Sequence, residues 1–153
     1  MLLQIYITKP ATEPNIQQHK MSTYPAYLIA ETSLGPQDHH YIFIETNESG
    51  AATGHRYHVI GNIQEGMTFN HRPCIVPEDE PVFLSKARIG EVGVADYENG
   101  GFLAVCDEVE VPKKQFQGAK RLFPKERLRK CQEWAAEAVA LLEERGVLKG
   151  PRE

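Results

Sequence analysis

The sequence predicts an α+β fold in which an antiparallel β-sheet packs against a long C-terminal helix. Short segments rich in aromatic and β-branched residues, separated by turn sequences, precede the only stretch whose apolar side chains recur strongly at helical spacing. The chain has 153 residues, 41% of them hydrophobic and 25% charged, as in an ordinary globular protein. We assign residues 1–23 to an N-terminal arm or strand and 24–150 to a single α+β domain.

The strands are expected to follow one another along the chain. They are residues 24–31, 40–46, 56–63, 87–95 and 102–111, with a short strand or arm at Leu2–Ile7. The last two are expected to form a hairpin across Asn99-Gly100, because Asn-Gly is a strong turn signal. Residues 9–23 and 47–54 are predicted loops, and residues 70–81, which contain three prolines, are predicted to be an exposed connection.

The C-terminal helix is expected to begin at Cys131 and to stop at Gly146. Its buried face comprises Cys131, Trp134, Ala135, Ala138, Val139 and Leu142. Cys131 therefore points inward near the positive end of the helix, where a thiolate nucleophile is favoured. Since buried cysteines more often pack than react, the helix alone also permits a purely structural role for this residue.

Charge and cysteine content narrow the classes of function. The net charge of −4 argues against a nucleic-acid-binding domain and a polybasic membrane surface. A basic run over residues 113–130 is expected to be solvated, although it could also form a positive approach to Cys131. Cys74, Cys106 and Cys131 show no metal-type spacing, and no metal or other cofactor is predicted. With no secretory leader and no membrane-length apolar run, we expect an intracellular protein.

A cysteine nucleophile needs a histidine from elsewhere in the fold, and two histidines occupy the expected early hairpin. If the strands holding His40 and His58 pair in an even register, both imidazoles lie on one side of the sheet. An odd register sends them to opposite faces. His39 is a reserve candidate because a shift of one residue exchanges its role with that of His40.

Three short segments resemble the permuted papain-like cysteine hydrolases, which include lecithin-retinol acyltransferase and its phospholipase/acyltransferase relatives. They are HYIFI at residues 40–44, HVIGN at 58–62 and KCQEW at 130–134. With the tail Gly146-Val147-Leu148, these segments are also similar to an uncharacterised group of small fungal proteins. The resemblance departs from the common pattern at Lys130, where Asn is frequent, and in the long spacing between the two histidines.

The resemblance implies a permuted papain-like fold with Cys131 as nucleophile, His40 as general base and His58 as the orienting third group. Asp38, Glu45 and Asn62 are alternatives to His58 as that third group. The predicted substrate contacts are Trp134, Tyr41 and Asn62, although Trp134 fits the core better than a pocket wall.

The leading hypothesis is an intracellular thiol hydrolase or acyltransferase that acts on an amide, ester or thioester through an acyl intermediate on Cys131. Its partner is a small-molecule or peptide substrate. The second hypothesis is a catalytically inactive domain of the same fold that binds a peptide, lipid or metabolite. The third is an interaction module recruited through the acidic residues 78–80 or through the basic run.

Overall fold

The computed structural model describes residues 22–151, which form an α+β domain built on a six-stranded antiparallel sheet. The elements are β1 (Thr23–Glu31), β2 (His39–Ile44), β3 (Gly54–Asn62), β4 (Gly66–Cys74), a 3-10 turn (Pro77–Asp79), β5 (Phe83–Gly93), α1 (Val94–Glu98), α2 (Gly101–Glu108), β6 (Phe116–Gln117), β7 (Lys120–Arg121), α3 (Cys131–Glu144) and β8 (Leu148–Lys149). The sheet order is β4-β3-β2-β1-β5-β8, and β6 pairs with β7 separately. The predicted segment Leu2–Ile7 lies outside the described residues.

The first three strands and the C-terminal helix confirm the predictions made from the sequence. Strands β1, β2 and β3 each fall within two residues of their expected bounds. Helix α3 buries Trp134, Ala135, Ala138 and Leu142, as its apolar spacing predicts. The helix is followed by Gly146, whose φ of 71° is a left-handed conformation that glycine adopts without steric cost.

The prediction that residues 70–81 form an exposed connection was wrong for their first half. Strand β4 pairs with β3 along its whole length, from Gly66 opposite Asn62 to Cys74 opposite Gly54. Pro73 is accommodated because β4 lies at the edge of the sheet, where a strand has one unpaired side and a missing N–H does no harm.

The prediction of a hairpin across residues 96–101 was also wrong, because helices α1 and α2 follow β5. Gly100, with a φ of 87°, is the N-cap of α2 rather than the turn of a hairpin. The buried residues of this segment are Phe102, Val105, Cys106 and Val109. Their offsets of about 3, 4 and 7 from the first are those of one helical face.

Two layers of buried side chains lie on opposite faces of the sheet. The face toward α3 contributes Ile42, Ile44, Tyr57 and Val59 to the main core, together with Trp134 and Ala135 of the helix. The other face carries a smaller cluster of Ile29, Tyr41, Phe43 and Cys74. Successive side chains of β2 therefore alternate between the two faces of the sheet.

No helix within residues 22–151 combines the length and the apolar character needed to cross a membrane.

Candidate active site

Cys131 is the first residue of α3, and its side chain is partly buried against the main core. The backbone of Lys130 is extended, and its N–H donates to Glu133 Oε2 at 3.2 Å, which closes the first turn. The thiol of Cys131 donates to the carbonyl oxygen of Asp38 at 3.9 Å, and Gln132 Nε2 donates to the same oxygen at 3.0 Å. These contacts hold the start of α3 against the entry to β2.

A cleft of about 510 Å³ opens beside the sulfur, between the β1–β2 loop, the β3–β4 turn and the start of α3. Its polar lining includes Ser33, Gln37, His39, Asn62, Lys130 and Cys131, and its apolar lining includes Pro36, Val59, Ile60, Ile63 and Met67. The cleft thus combines a mostly apolar wall with a few polar groups, as ligand sites usually do.

The register of β2 and β3 separates His40 from His58 and corrects the predicted pairing. Ile42 lies opposite Tyr57 and Ile44 opposite His55, which is the odd register. His40 alternates with Ile42 and so lies on the α3 face, whereas His58 lies on the far face with Arg56. His58 therefore cannot be the group that orients His40.

The residue beside His58 is instead His39, the reserve candidate. His39 Nε2 lies 2.9 Å from His58 Nδ1, and His58 Nε2 lies 3.2 Å from Asn70 Oδ1. Since Asn70 Oδ1 can only accept, His58 carries its proton on Nε2 and accepts at Nδ1 from His39. In this series of hydrogen bonds, Nδ1 of His39 is the ring nitrogen without a proton.

Both rings of the His39–His58 pair are held neutral near pH 7. Burial, followed by the positive field of Arg56, lowers the pKa of His39 to about 4. Burial, followed by the charge of His39, lowers the pKa of His58 to about 4. Protonation of either ring therefore works against the folded state.

We expect this pair to make stability depend on pH. Unfolded histidines titrate near 6.5, so between about pH 6.5 and 4 the unfolded chain binds more protons than the folded one. The free energy of unfolding should be at its full value above about pH 6.5 and fall as pH drops toward 4. Urea unfolding across this range measures it, and the double variant His39→Gln/His58→Gln should show a flatter profile. Identical slopes for the two proteins would contradict this explanation.

The structure places one of the three predicted substrate contacts in the cleft and buries the other two. Asn62 lines the cleft, where its Oδ1 accepts from Glu65 N at 2.9 Å and shapes the β3–β4 turn. Trp134 and Tyr41 are both fully buried, and neither lines the cleft. Trp134 fills the main core, and Tyr41 lies on the far face beneath Arg56, whose guanidinium carbon is 4.0 Å from the ring centroid. Both side chains therefore occupy structural positions, and the prediction that they contact a substrate is corrected.

The sulfur of Cys131 makes no hydrogen bond to an imidazole in the described part of the chain; its partner is the Asp38 carbonyl. His40 alternates with Ile42 and Ile44 and so lies on the α3 face, although it is not among the described residues that line the cleft. Of the other candidates for the third group, Asp38 contributes its backbone oxygen, and Glu45 lies 3.6 Å from Lys86 Nζ.

Asn70 and Gln132 contact site residues, although neither is predicted from the sequence to contribute to the site. Asn70 was placed in a connection, although alternating apolar residues at Met67 and Phe69 indicate a strand that carries it. Gln132 offered no signal, because its amide gains a role only when the β1–β2 loop reaches α3.

The two charged segments considered as recruitment surfaces are tied to the domain. In the acidic segment, Glu78 lies 3.0 Å from Lys86 Nζ and Glu80 lies 3.9 Å from Arg56 Nη2. In the basic run, the buried amide of Gln115 donates to Arg129 O at 2.7 Å and accepts from Arg129 N at 2.8 Å. These contacts attach both segments to the rest of the domain.

A family model matches residues 26–149, which include all three cleft-forming segments. It describes a family of unknown function, DUF6540. The chain belongs to this family. No curated protein and no solved structure matches it. The DUF6540 match therefore identifies the domain without assigning it an activity.

Within the described DUF6540 domain, all three cysteines are free thiols, and Cys131 is the most accessible of them. Burial raises the pKa of the Cys106 thiol, which makes that residue a poor nucleophile. Residues 22–151 contain no group of three or more His, Cys, Asp or Glu side chains placed to hold a metal ion.

Proposed function

We propose that the protein is a cysteine-dependent hydrolase or acyltransferase that forms an acyl intermediate on Cys131, with His40 as the general base. The observation that carries the proposal is the contact of the Cys131 thiol with the Asp38 carbonyl at 3.9 Å. It sets the sulfur at the strand entry two residues before His40, beside an open cleft. A nucleophile at a helix start, near a strand-borne histidine, is the arrangement that acyl transfer requires.

The proposed reaction uses the groups at this entry in two steps. His40 takes the thiol proton while the sulfur attacks the carbonyl carbon of an amide, ester or thioester, and the imidazolium returns the proton to the leaving group. Water or another acceptor then attacks the thioester and releases Cys131. Backbone N–H groups of the first turn of α3 are suited to stabilise the oxyanion, because they have no partner within the helix.

The choice of His40 over His39 as base rests on the faces of β2. By strand alternation His40 lies on the side of the sheet against which Cys131 packs. His39 lines the cleft, but its ring is hydrogen-bonded to His58. Catalytic hydrogen bonds are often long before substrate binds, so a side-chain rotation of His40 that closes the dyad fits this scheme. The free thiols fit a reducing, intracellular compartment, and the strand-borne histidine with a late helical cysteine is consistent with a permuted papain-like arrangement.

The alternative is a catalytically inactive binding domain of the same fold. It is favoured by the absence of an imidazole among the hydrogen-bond partners of Cys131 within residues 22–151. In that case the cleft lined by Val59, Ile63 and Met67 binds an apolar ligand, and the thiol only packs.

An acyl-trapping experiment separates the two. The protein is incubated with p-nitrophenyl acetate, digested and analysed by mass spectrometry for acetylated cysteine. We expect acetyl on Cys131 only, released by hydroxylamine, with the buried Cys74 and Cys106 as internal controls. The absence of an adduct on Cys131, or an equal rate of p-nitrophenol release from Cys131→Ser, would support the inactive binding domain.

A further inference from the structure

A second cleft, of about 600 Å³, lies between strand β3 and the helices α1 and α2. The residues that define it are Tyr24, Tyr57, Tyr97, Glu48, Glu98 and His71. Among the described residues, it shares no lining residue with the cleft beside Cys131. Its side chains therefore serve no purpose in the reaction proposed above.

Within residues 22–151, the walls of this second cleft carry negative charge without a balancing lysine or arginine. Glu48 and Glu98 line it, and no Lys or Arg does so within the described residues. Neither carboxylate forms an ion pair with a Lys or Arg in residues 22–151; Glu98 accepts instead from Tyr24 OH at 3.1 Å. Burial, then the hydrogen bond to Glu98 and then the charge of Glu98 raise the pKa of Tyr24, so this acid acts on a group that lines the cleft.

Two histidines of the cleft, His55 and His71, form a hydrogen-bonded series that starts at Glu48. Glu48 Oε1 lies 3.3 Å from His55 Nδ1, and His55 Nε2 lies 2.9 Å from His71 Nδ1. Burial lowers the pKa of His55. In its neutral form, with Nδ1–H donated to Glu48, His55 accepts from His71 Nδ1–H, which leaves Nε2 of His71 as an acceptor. The Glu48–His55–His71 series thus offers hydrogen-bond acceptors to a ligand that carries donors.

Aromatic rings supply the remaining wall. Tyr24 and Tyr97 pack edge to face, with centroids 5.3 Å apart and planes at 85°, and Tyr57 and Tyr97 do so at 6.4 Å and 90°. Tyr57 is 4% exposed and stacks on His71, so the partly exposed rings of Tyr24 and Tyr97 supply the accessible aromatic surface. Ring faces attract cations. Carboxylates beside aromatic faces form the usual recognition chemistry for an organic ammonium group.

We propose that this cleft binds a small organic ammonium ion, held by Glu48 and Glu98 and packed against the rings of Tyr24 and Tyr97. A neutral ligand of the same shape would gain the apolar contacts but lose the attraction of the two acids and of the ring faces. An anionic ligand would be repelled by them. The charge of the ligand is therefore the property that the cleft selects.

Choline and its uncharged analogue 3,3-dimethylbutan-1-ol test this selection, because they have nearly the same shape. Binding is followed by ¹H–¹⁵N NMR titration of the whole protein, through the backbone amides of Tyr97, Gly100 and Leu103. We expect saturable shifts at these amides with choline and an affinity at least about tenfold weaker for the neutral analogue, the factor that about 1.4 kcal/mol corresponds to.

Glu98→Gln keeps the acceptor for Tyr24 and removes the charge, and it should weaken choline binding at least about threefold. Glu144→Gln, an exposed acid at the end of α3, is the matched control and should bind choline as the unaltered protein does. Amide shifts elsewhere in each variant report whether the fold is intact. Equal binding of the two ligands, no saturable shift with choline, or an equal loss in Glu144→Gln would overturn the proposal.

Discussion

His40→Ala is expected to slow acetylation of Cys131 by roughly 10²–10⁴-fold, which is the usual contribution of a general base. The nucleophile then has to lose its proton to water, while the cleft and α3 remain in place. The measurement is the initial rate of p-nitrophenol release at saturating ester, with the site of acetylation confirmed by mass spectrometry. His40 is only partly buried, so we expect the variant to fold.

His39→Ala is the matched control because it removes the neighbouring imidazole from the opposite face of β2. It breaks the contact with His58 at 2.9 Å and should alter the pH dependence of stability more than the rate of acetylation. A large loss of rate in His39→Ala, with little change in His40→Ala, would make His39 the base. Unchanged rates in both variants would show that neither histidine is the general base.

Trp134→Ala is expected to lower the free energy of unfolding by about 3–5 kcal/mol, because it opens a large cavity in the core. The indole is fully buried and lies 5.5 Å, centroid to centroid, from Phe69. It joins α3 to β4, and α3 in turn fixes Cys131 against Asp38. Urea denaturation followed by circular dichroism measures the loss.

Trp134→Phe provides the comparison for this effect. It keeps an aromatic ring in the core and removes an indole N–H that has no hydrogen-bond partner in the described structure. Its cost should therefore be clearly smaller than that of Trp134→Ala. If both substitutions are equally mild, the side chain does not anchor the helix, and its position would be better explained by a loosely packed core.

The elements that the sequence predicts correctly are those whose signal is local. Helix α3 combines apolar residues at helical spacing with a terminating glycine, and β1 to β3 combine β-branched and aromatic residues with flanking turn sequences. Helix α2 was missed because the Asn99-Gly100 pair outweighed the spacing of Phe102, Val105 and Cys106. The same dipeptide occurs in hairpin turns and at helix starts, and only the spacing of the apolar residues that follow it distinguishes the two.

The sequence singles out three residues that line the cleft, Cys131, His39 and Asn62, but not the pairing of the histidines. Which histidines share a face depends on the register of β2 with β3. The nine-residue loop between these strands sets that register. Asn47 and Ala52 adopt left-handed φ values of 59° and 64°, and Asn47 Oδ1 accepts from Ala52 N at 2.8 Å. Nothing in the order of the residues fixes such a loop in advance.

The most direct test of the proposed dyad is the distance from Cys131 Sγ to the nearest ring nitrogen of His40 in a crystal structure with a substrate-derived amide bound in the cleft. We predict that the two atoms lie within about 4 Å of each other, since catalytic contacts tighten in the bound complex. A bound amide beside Cys131 with the His40 ring still turned away from the sulfur, and no other imidazole in reach, would contradict the proposed mechanism.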